Sequence, residues 1–339
     1  MSASAYLMKT SSPSDAPRPG HSSVAALLQS QGALIALVSI LLFGALRYDN
    51  FIGWQNVSDV LSNSSKFGLI AVGMAFVIMS GGIDLSVGTV AVLSSVLAAR
   101  YSNYGIAPGI AAGIVVGLLA GLVNGVLIAR FRLMPFIVTL CTYIAARGLA
   151  LIISDRQTVS ISYEHGFDTV GQGDFLALPI PLWIAAAIVL AGALLLRYAR
   201  FGRAVLAVGG NEEAARLMGL PVVKVKIGVY VISGALAGLA GVIVASQTSG
   251  SPTEGVGWEL IAIASVVVGG TLLTGGQGSV LNTVTGVLLL SVILNLINFE
   301  NGYTGGAHLT LGSYWQTIAR GLFLLAVILL QSRLARRSP

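Results

Sequence analysis

One carboxylate, Asp84, is the residue of this chain best placed to do chemistry. It lies in the polar segment Ser80-Gly81-Gly82-Ile83-Asp84-Leu85-Ser86-Val87-Gly88, which joins two apolar runs at 66–80 and 85–99. Each run has 15 residues, so a helix there covers only about 22 Å of a hydrocarbon core of about 30 Å. The join is therefore predicted to lie within a membrane, where a carboxylate needs protein or water around it. Asp84 would accept hydrogen bonds from the hydroxyl groups of a solute, N-cap the following helix, or do both.

A second polar interruption, Thr271-Leu272-Leu273-Thr274-Gly275-Gly276-Gln277-Gly278-Ser279, also has a Gly-Gly pair followed by polar residues and an apolar run. It is either a related break in a second half of the chain or an ordinary glycine turn. Asn124 lies in another apolar run, where it would bond to a neighbouring helix or contact a solute. The residues that we predict to line a solute pathway are Ser80, Gly81, Gly82, Asp84, Ser86, Asn124, Thr271, Thr274 and Gln277.

The elements that position these residues are predicted to be membrane helices. Hydrophobic residues make up 55% of the chain and charged residues 9%, and the mean hydropathy is +0.87, which excludes an ordinary soluble domain. Besides the two short runs, eight apolar runs are long enough to cross a bilayer. They lie at 24–46, 106–129, 134–153, 178–198, 227–246, 258–274, 279–298 and 315–331. We therefore predict an all-α, polytopic bundle of about ten transmembrane segments.

The basic residues predict the orientation of this bundle. With a cytosolic N-terminus, the inner loops and tails hold 13 of the 19 Lys and Arg residues, the outer connections hold four, Lys66 among them, and two lie within spans. Cytosolic loops carry the excess of positive charge, so both termini are predicted to be cytosolic. The net charge of +6 follows from this asymmetry and gives no reason to expect a nucleic acid partner. The acidic residues predicted to face outward are Asp155, Glu164, Asp168 and Asp174.

Glycine recurs at every fourth position between residues 105 and 125. Residues four apart share one face of a helix, so these glycines would form a groove that lets a neighbouring backbone approach closely. Gly234 and Gly238 repeat the spacing in the run at 227–246. We predict tight helix packing at this stripe, with lining of a solute pathway as the alternative. The stripe consists of Gly105, Gly109, Gly113, Gly117, Gly121 and Gly125.

A short helix is predicted within the basic connection at 200–226, on the cytosolic side. Asn211 is a good N-cap, the two glutamates that follow it suit the positive end of the helix dipole, and Gly219 with Pro221 ends the helix after about two turns. So short a helix is marginal in water unless it docks against something. We predict that it binds a partner, with a solvated connector as the alternative. Its residues are Asn211, Glu212, Glu213, Ala214, Arg216, Leu217, Met218 and Gly219.

The sequence does not indicate enzymatic or metal chemistry. It lacks a Gly-x-x-x-x-Gly-Lys-Ser/Thr phosphate loop, so the chain is not expected to hydrolyse ATP by that route. The single cysteine, Cys141, lies in an apolar run, and the three histidines are far apart; neither a metal site nor a catalytic triad is suggested. Residues 1–22, rich in Ser, Pro and Gly, are predicted to be a disordered cytosolic leader, and 333–339 a basic cytosolic tail.

Taken together, these motifs resemble the permease subunits of bacterial ATP-binding-cassette sugar importers of the ribose and galactose class. The resemblance covers roughly residues 30–332. Within the class, the run from Leu260 to Gly276 together with Ile297-Asn298-Phe299 looks most like the permease of a galactofuranose importer. The segments that carry the resemblance are Gly73-Met74, Ser80 to Gly88, Gly209-Gly210-Asn211 to Met218-Gly219, Tyr230, Ser233-Gly234, Ala240-Gly241 and Ile263 to Thr271.

The resemblance implies a transmembrane permease domain at 23–332 in the bacterial inner membrane, through which a monosaccharide is taken up. Two permease chains would form the pathway, and separate cytosolic ATPase subunits, which bind the ATP and Mg²⁺, would power it. No cofactor is expected in this chain itself. The second permease would be a different chain, with a homodimer as the alternative. A periplasmic sugar-binding protein would deliver the sugar.

The resemblance also implies that the helix at Asn211–Met218 is the coupling helix, which inserts into a cleft of the ATPase so that nucleotide-driven closure moves the spans. Glu212, Glu213 and Arg216 would supply charge complementarity. Ala214 and Leu217 would supply the apolar contact.

The competing interpretation is an ion-coupled secondary transporter or a channel for a small polar solute, in which Asp84 would bind the coupling ion. The small number of charged residues within the spans argues against ion coupling. A membrane enzyme is a third interpretation, which no catalytic constellation supports.

Overall fold

A computed structural model of the chain describes residues 23–302 and residues 318, 321 and 322. The predictions for the leader at 1–22 and the tail at 333–339 lie outside the described residues. The same holds for the last predicted span, 315–331, apart from those three helical residues.

The regular elements of the described chain are helices and one two-stranded hairpin, and an isolated β-bridge pairs Val159 with Gly250. Of the ten predicted spans, the nine that precede residue 302 each overlap a helix. The helices are α1 Ser23–Arg47, α2 Trp54–Met79, α3 Val87–Tyr101, α4 Ile106–Arg130, α5 Pro135–Ile153, α6 Thr169–Gln172, α7 Ile180–Tyr198, α8 Arg200–Gly210, α9 Glu212–Leu217, α10 Val222–Gln247, α11 Trp258–Val268 and α12 Val280–Gly302, and the strands are β1 Asp174–Phe175 and β2 Leu178–Pro179, paired antiparallel.

Six of the described helices are long and apolar enough to cross a bilayer, namely α2, α4, α5, α7, α10 and α12. A chain with six such helices is a multi-pass helical membrane protein. The count of ten spans and the cytosolic position of both termini remain predictions. The end of the bundle that carries α8 and α9 is called the α9 end, and the opposite end, which carries β1 and β2, is called the hairpin end.

The prediction of a short helix at 66–80 was wrong. Helix α2 begins at Trp54 and has 26 residues, because polar residues in its first half keep that half outside the apolar window without preventing helix formation. The genuinely short segments are α3, with 15 residues, and α11, with 11 residues. The predicted run at 258–274 stops early, since Gly269 and Gly270 end α11.

The length of α2 also changes the position of Lys66. We predicted this residue in an outer connection, but it is the thirteenth of the 26 residues of α2. It therefore lies at the middle of a membrane-length helix and does not count toward the charge asymmetry of the loops.

Helix α10 is the centre of the bundle, and four glycines of the predicted stripe, Gly113, Gly117, Gly121 and Gly125, pack directly against it, whereas Gly109 meets Phe167 and Ala98. A Cβ atom on Gly117 would lie 2.1 Å from the carbonyl oxygen of Gly234, and one on Gly121 would lie 2.2 Å from the carbonyl oxygen of Tyr230. The two backbones are thus in van der Waals contact, with no room for a side chain between them. Gly105 differs from the prediction, because it precedes α4 as its N-cap instead of lying on the contact face.

The connection at 200–226 contains two helices where we predicted one. Helix α8 fills its first 11 residues, and α9 follows after Asn211. Helix α8 has buried apolar residues on one face, Val205 and Val208 among them, so it forms a platform that attaches α9 to the bundle.

At the hairpin end, the connection from α5 to α7 folds back onto the end of α10. The Gly171 amide donates to Ser246 Oγ at 2.6 Å, and Ser246 Oγ donates to the carbonyl oxygen of Phe167 at 2.7 Å. No pattern in the sequence predicts the strands or α6, which are short and half exposed.

Candidate functional site

The polar break between α2 and α3 runs from the α9 end, at Gly81, into the interior of the bundle, at Asp84. Asp84 is 1% exposed. Its Oδ1 atom accepts hydrogen bonds from the Ser86 amide at 3.0 Å and from Ser86 Oγ at 2.6 Å, and its Oδ2 atom accepts one from Ser233 Oγ at 2.8 Å. Ser233 is the twelfth of the 26 residues of α10, so the carboxylate lies at mid-height. The N-cap residue of α3 is Ser86; Asp84 supports the cap through the Ser86 amide and does not itself form it.

Asn124 extends this network to two further helices. Its Nδ2 atom donates to Ser86 Oγ at 3.0 Å, and its Oδ1 atom accepts from Thr142 Oγ1 of α5 at 2.5 Å. Asn124 is fully buried. The amide therefore fixes α4 and α5 to the start of α3, and its polar atoms are occupied by other side chains.

The other predicted pathway residues are distributed between the interior and the surface. Ser80 is buried and donates to the carbonyl oxygen of Val77 at 2.7 Å. Thr271 is buried, and its hydroxyl finds no hydrogen-bond partner among the described residues. Thr274 and Gln277 are exposed. The structure does not bring these residues together at one cavity.

The two Gly-Gly breaks meet each other at the α9 end, against the last residues of α8. The Gly276 amide donates to the carbonyl oxygen of Met79 at 3.0 Å. A Cβ atom on Gly209 would lie 1.9 Å from that carbonyl oxygen, and one on Gly275 would lie 3.0 Å from the Cα atom of Gly81. We call this contact of Gly81, Gly209, Gly210, Gly275 and Gly276 the glycine junction. It places the end of α2, the end of α8 and the loop before α12 in backbone contact.

Helix α9 has the local structure that the sequence predicts. Asn211 Oδ1 accepts a hydrogen bond from the Ala214 amide at 2.9 Å, which is a standard N-cap, and Gly219 ends the helix with a φ of +79°. Leu217 is 84% exposed and Met218 70% exposed. The helix thus presents an apolar tip to the surroundings.

The charged residues of α9 are partly engaged within the chain. Glu212 forms ion pairs with Arg216, at 2.9 Å, and with Lys226 at the start of α10. These contacts tie α9 to α10, so Glu212 and Arg216 contribute to its position. Glu213 is exposed and lies on the helix with no ion pair among the described residues.

A polar cleft between α2 and α12 is the feature that the sequence analysis missed. Its volume is about 470 Å³, and the residues that bear on its chemistry are Asn63, Lys66, Glu254, Trp258, Ser291 and Asn295. Its outer end, toward the hairpin end of the bundle, is bridged by a pair of amides. Asn295 Nδ2 donates to Asn56 Oδ1 at 2.8 Å, and Asn56 Nδ2 donates to Asn295 Oδ1 at 3.2 Å.

The cleft ends at an aromatic floor near mid-height. Lys66 Nζ lies 5.6 Å from the centroid of the Trp258 ring and 5.8 Å from that of the Phe67 ring, and the two rings meet edge to face at 5.4 Å. Beyond the floor, every residue of α2 from Leu69 to Met79 is buried. The cleft is therefore open toward the hairpin end and closed toward the α9 end.

A periodic signal in the sequence could have revealed one wall of this cleft. Asn56, Asp59, Asn63 and Lys66 are spaced by three, four and three residues, which places them on one face of a helix. The predicted span begins at residue 66, so most of this polar face lies before it. The opposite wall, on α12, has a shorter run of the same kind, Ser291, Asn295 and Asn298, spaced by four and three residues. The pairing of the two walls comes only from the tertiary contact of Asn295 with Asn56.

Among the described residues no group of three or more His, Cys, Asp or Glu side chains is close enough together to hold a metal ion. Membrane helices, a buried polar break and an exposed α9 place this protein in the class of membrane permeases. The chain matches the family described as the branched-chain amino acid transport system / permease component over residues 56–330. It belongs to this family.

The curated relatives cover nearly the whole chain. It is 38% identical over 314 residues to the ribose import permease protein of Bacillus subtilis, which covers 91% of this chain and 94% of the relative. It is 39% identical over 305 residues to the L-arabinose transport system permease protein of Escherichia coli, with 88% and 89% covered. An L-arabinose ABC transporter permease protein of Azospirillum brasilense is 38% identical over 327 residues, with 95% and 93% covered. No solved structure matches the chain significantly.

Proposed function

We propose that this chain is the permease subunit of an ATP-binding-cassette importer that takes up a monosaccharide across the bacterial inner membrane. The observation that carries the proposal is α9, a short helix whose apolar tip is exposed while its base is fixed. Leu217 is 84% exposed, whereas Ala215 on the opposite face is fully buried. An exposed apolar residue on a rigid helix is typical of a docking element.

The proposal includes the topology that the basic residues indicate. Ten spans with both termini in the cytosol would place α9 on the cytosolic side, together with the leader at 1–22 and the tail at 333–339. The permease domain would extend over 23–332, with 200–226 as its coupling loop. This topology puts the hairpin end in the periplasm, where a sugar-binding protein would dock.

The partners follow from the same proposal. A cytosolic ATPase subunit would bind ATP and Mg²⁺, and this chain would bind neither. A second permease chain, most simply a different one, would complete the pathway, with a homodimer as the alternative. The periplasmic sugar-binding protein would supply the substrate, and the exposed apolar surfaces of the spans would face membrane lipid.

The glycine junction supplies a route from the ATPase to the spans. Gly209 and Gly210 directly precede the N-cap of α9 and are in backbone contact with the end of α2 and the loop before α12. Movement of α9 would displace these two segments together, because close-packed backbones cannot be compressed. Asp84 and Asn124 would then keep α3 aligned with α4, α5 and α10 during the movement.

For the transported sugar we propose a class of compound. The relatives reported above are named for ribose and L-arabinose, and the resemblance at Leu260 to Gly276 suggests galactofuranose. We therefore propose a monosaccharide in the pentose or hexose range, with galactofuranose as the particular candidate from that segment.

The bonding of Asp84 disfavours the competing function, an ion-coupled transporter or channel. Both of its carboxylate oxygens already accept hydrogen bonds from Ser86 and Ser233. A coupling ion at Asp84 would have to displace these donors from a fully buried position.

The experiment that tests the proposal is co-purification of the detergent-solubilised chain with candidate ATPase subunits. The variant Leu217→Asp places a charge on the exposed tip of α9 without touching the ion pairs of Glu212. Leu176→Asp is the matched control, because Leu176 is also an exposed leucine, 72% exposed, but lies in the turn of the hairpin. The wild type and the control are expected to retain the ATPase, and Leu217→Asp is expected to lose it.

The same preparations distinguish the competing function. Wild-type protein that purified without any ATPase, and that moved labelled sugar into liposomes without ATP, would contradict the importer. In that case Asp84→Asn would be the first variant to test for ion coupling.

A further inference from the structure

Lys66 is a buried cation whose ammonium lies near two aromatic rings and has no ion pair among the described residues. It is 8% exposed at the midpoint of α2, and its ammonium has neither a hydrogen-bond acceptor nor an ion pair among the described residues. Glu254 interacts with it electrostatically across the cleft without forming an ion pair. A lysine at this depth is expensive unless it lines an aqueous cavity or contacts a polar ligand, so it indicates a functional site.

The side chains around Lys66 favour water or a polar solute over lipid as the content of the cleft. Asp59 and Asn63, on the same face of α2, are exposed, and the opposite wall carries Ser291 and Asn295 on α12. Ser291 is the twelfth of the 23 residues of α12, so polar groups line both walls down to mid-height. Hydrocarbon chains cannot satisfy these groups, whereas water or a polar solute can.

We infer that the α2–α12 cleft is the outward-facing subsite of the pathway, where a neutral polyhydroxylated solute of monosaccharide size is held by Lys66, Glu254 and Trp258. The inference rests on the proposed function and adds to it the position of the subsite and the residues that form it. A volume of about 470 Å³ lies within the range typical of small-molecule sites.

The chemistry of these three residues suits a sugar. A hydroxyl group is both a donor and an acceptor, so a single hydroxyl between the two side chains would accept from Lys66 Nζ and donate to the Glu254 carboxylate. The opposite charges balance, which favours a neutral solute over an anion. The aromatic floor of Trp258 and Phe67 offers an apolar surface to the C–H face of a sugar ring.

The shape of the cleft agrees with entry from the hairpin end. Its polar walls extend along α2 from Asn56 to Lys66, eleven residues, or about 15 Å. Below Lys66 the buried residues Leu69–Met79 close the path. A solute bound at Lys66 would therefore be separated from the α9 end by this buried segment. A movement transmitted through the glycine junction at the end of α2 could open the path.

The first test is energised uptake of ¹⁴C-labelled D-ribose, L-arabinose and D-galactose by proteoliposomes that contain the whole importer. Lys66→Met keeps the length and the apolar stem of the side chain and removes the ammonium. Arg147→Met is the matched control, because Arg147 is a cation within the span α5 and is exposed outside the cleft. Lys66→Met is expected to reduce uptake at least about tenfold, since a hydrogen bond to a charged group is lost. The control is expected to stay within about twofold of wild type.

The second test does not depend on replacing Lys66. In a Cys141→Ala background, a cysteine is introduced by Asn63→Cys, and its reaction with a charged methanethiosulfonate reagent is timed in the assembled importer. The cysteine is expected to react, and a saturating amount of the transported sugar is expected to slow the reaction at least about fivefold. Leu119→Cys on the exposed apolar face of α4 is the control, and it is expected not to react.

The outcomes separate this inference from the proposed function. Absence of ATP-dependent uptake by the wild-type importer would refute the proposed function itself. ATP-dependent uptake that Lys66→Met leaves unchanged, with no protection of the Asn63→Cys thiol by the same sugar, would refute the cleft as a subsite and leave the function standing. A thiol that reacts in the isolated chain and not in the importer would show that the cleft is a subunit interface, which also overturns the inference.

Discussion

Two helix pairs of this protein, α4 with α10 and α2 with α12, use opposite means of contact. Between α4 and α10 the backbones touch, as at Gly117 and Gly234, where an added Cβ atom would lie 2.1 Å from a carbonyl oxygen. Between α2 and α12 the outer contact is made by the side chains of Asn56 and Asn295, and a cleft of about 470 Å³ remains beside it.

The difference shows where a solute can pass. A glycine interface leaves no space and derives its stability from close packing of two backbones. The interface that the amides bridge leaves a gap lined by polar side chains and is joined at its outer end by two hydrogen bonds. The first is suited to be the static frame of the permease and the second to be its pathway, so substitutions should affect the two interfaces in different ways.

The largest effect is expected from Gly121→Val in the frame. A Cβ atom at Gly121 would lie 2.2 Å from the carbonyl oxygen of Tyr230, so α4 and α10 would have to separate along their length. Overpacking of this kind typically destabilises a protein by about 1–3 kcal/mol, and a clash with backbone lies at the upper end. The variant is expected to lose most of its monodisperse peak on size-exclusion chromatography after mild heating.

Gly148→Val is the control for this prediction. Gly148 lies in α5, another span, and a Cβ atom there would meet nothing within 4 Å. Both variants change glycine to the same β-branched residue in a helix, so intrinsic propensity cancels. Equal thermal stability of the two variants would show that the α4–α10 contact is not the frame.

A smaller effect is expected from Asp84→Leu, which removes the polar link between α3 and α10. The Ser86 amide, Ser86 Oγ and Ser233 Oγ would lose their acceptor in a buried position, which should destabilise the fold by about 2 kcal/mol. Asp49→Leu, at an exposed aspartate outside the helices, is the control and is expected to have little effect. If Asp84→Leu retained wild-type stability and lost only transport, Asp84 would belong to the pathway and not to the frame.

The sequence was sufficient to predict the frame because its determinants are local. The glycines of α4 recur every four residues, a spacing that by itself defines one helix face. Helix α9 was predictable for the same reason: the cap at Asn211 and the stop at Gly219 depend on neighbours within a few residues.

The pathway was harder to predict because its determinants are distant in sequence. Asn56 and Asn295 are 239 residues apart, and no spacing rule relates them. The glycine junction likewise combines three separate segments. Polar residues in the first half of α2 lower its hydropathy, so hydropathy alone predicts a loop there, and with it a loop position for Asn63 and Lys66.

The smallest effect is expected from the amide pair that bridges the outer end of the cleft. A double-mutant cycle of Asn56→Leu and Asn295→Leu, followed by unfolding in mixed micelles, is expected to give a coupling energy of about 1 kcal/mol, because two reciprocal hydrogen bonds are lost together. The reference cycle is Gln55→Leu with Asp59→Leu, an exposed pair four residues apart on α2 joined by one hydrogen bond of 3.1 Å, for which about 0.3 kcal/mol is expected. The double variant should also let the outer ends of α2 and α12 separate, so a thiol introduced by Asn63→Cys should react faster with a charged reagent. A coupling energy no larger than that of the reference pair would mean that side-chain amides do not hold α2 and α12 together. The proposed difference between the packed α4–α10 interface and the amide-bridged α2–α12 interface would then be wrong for α2 and α12.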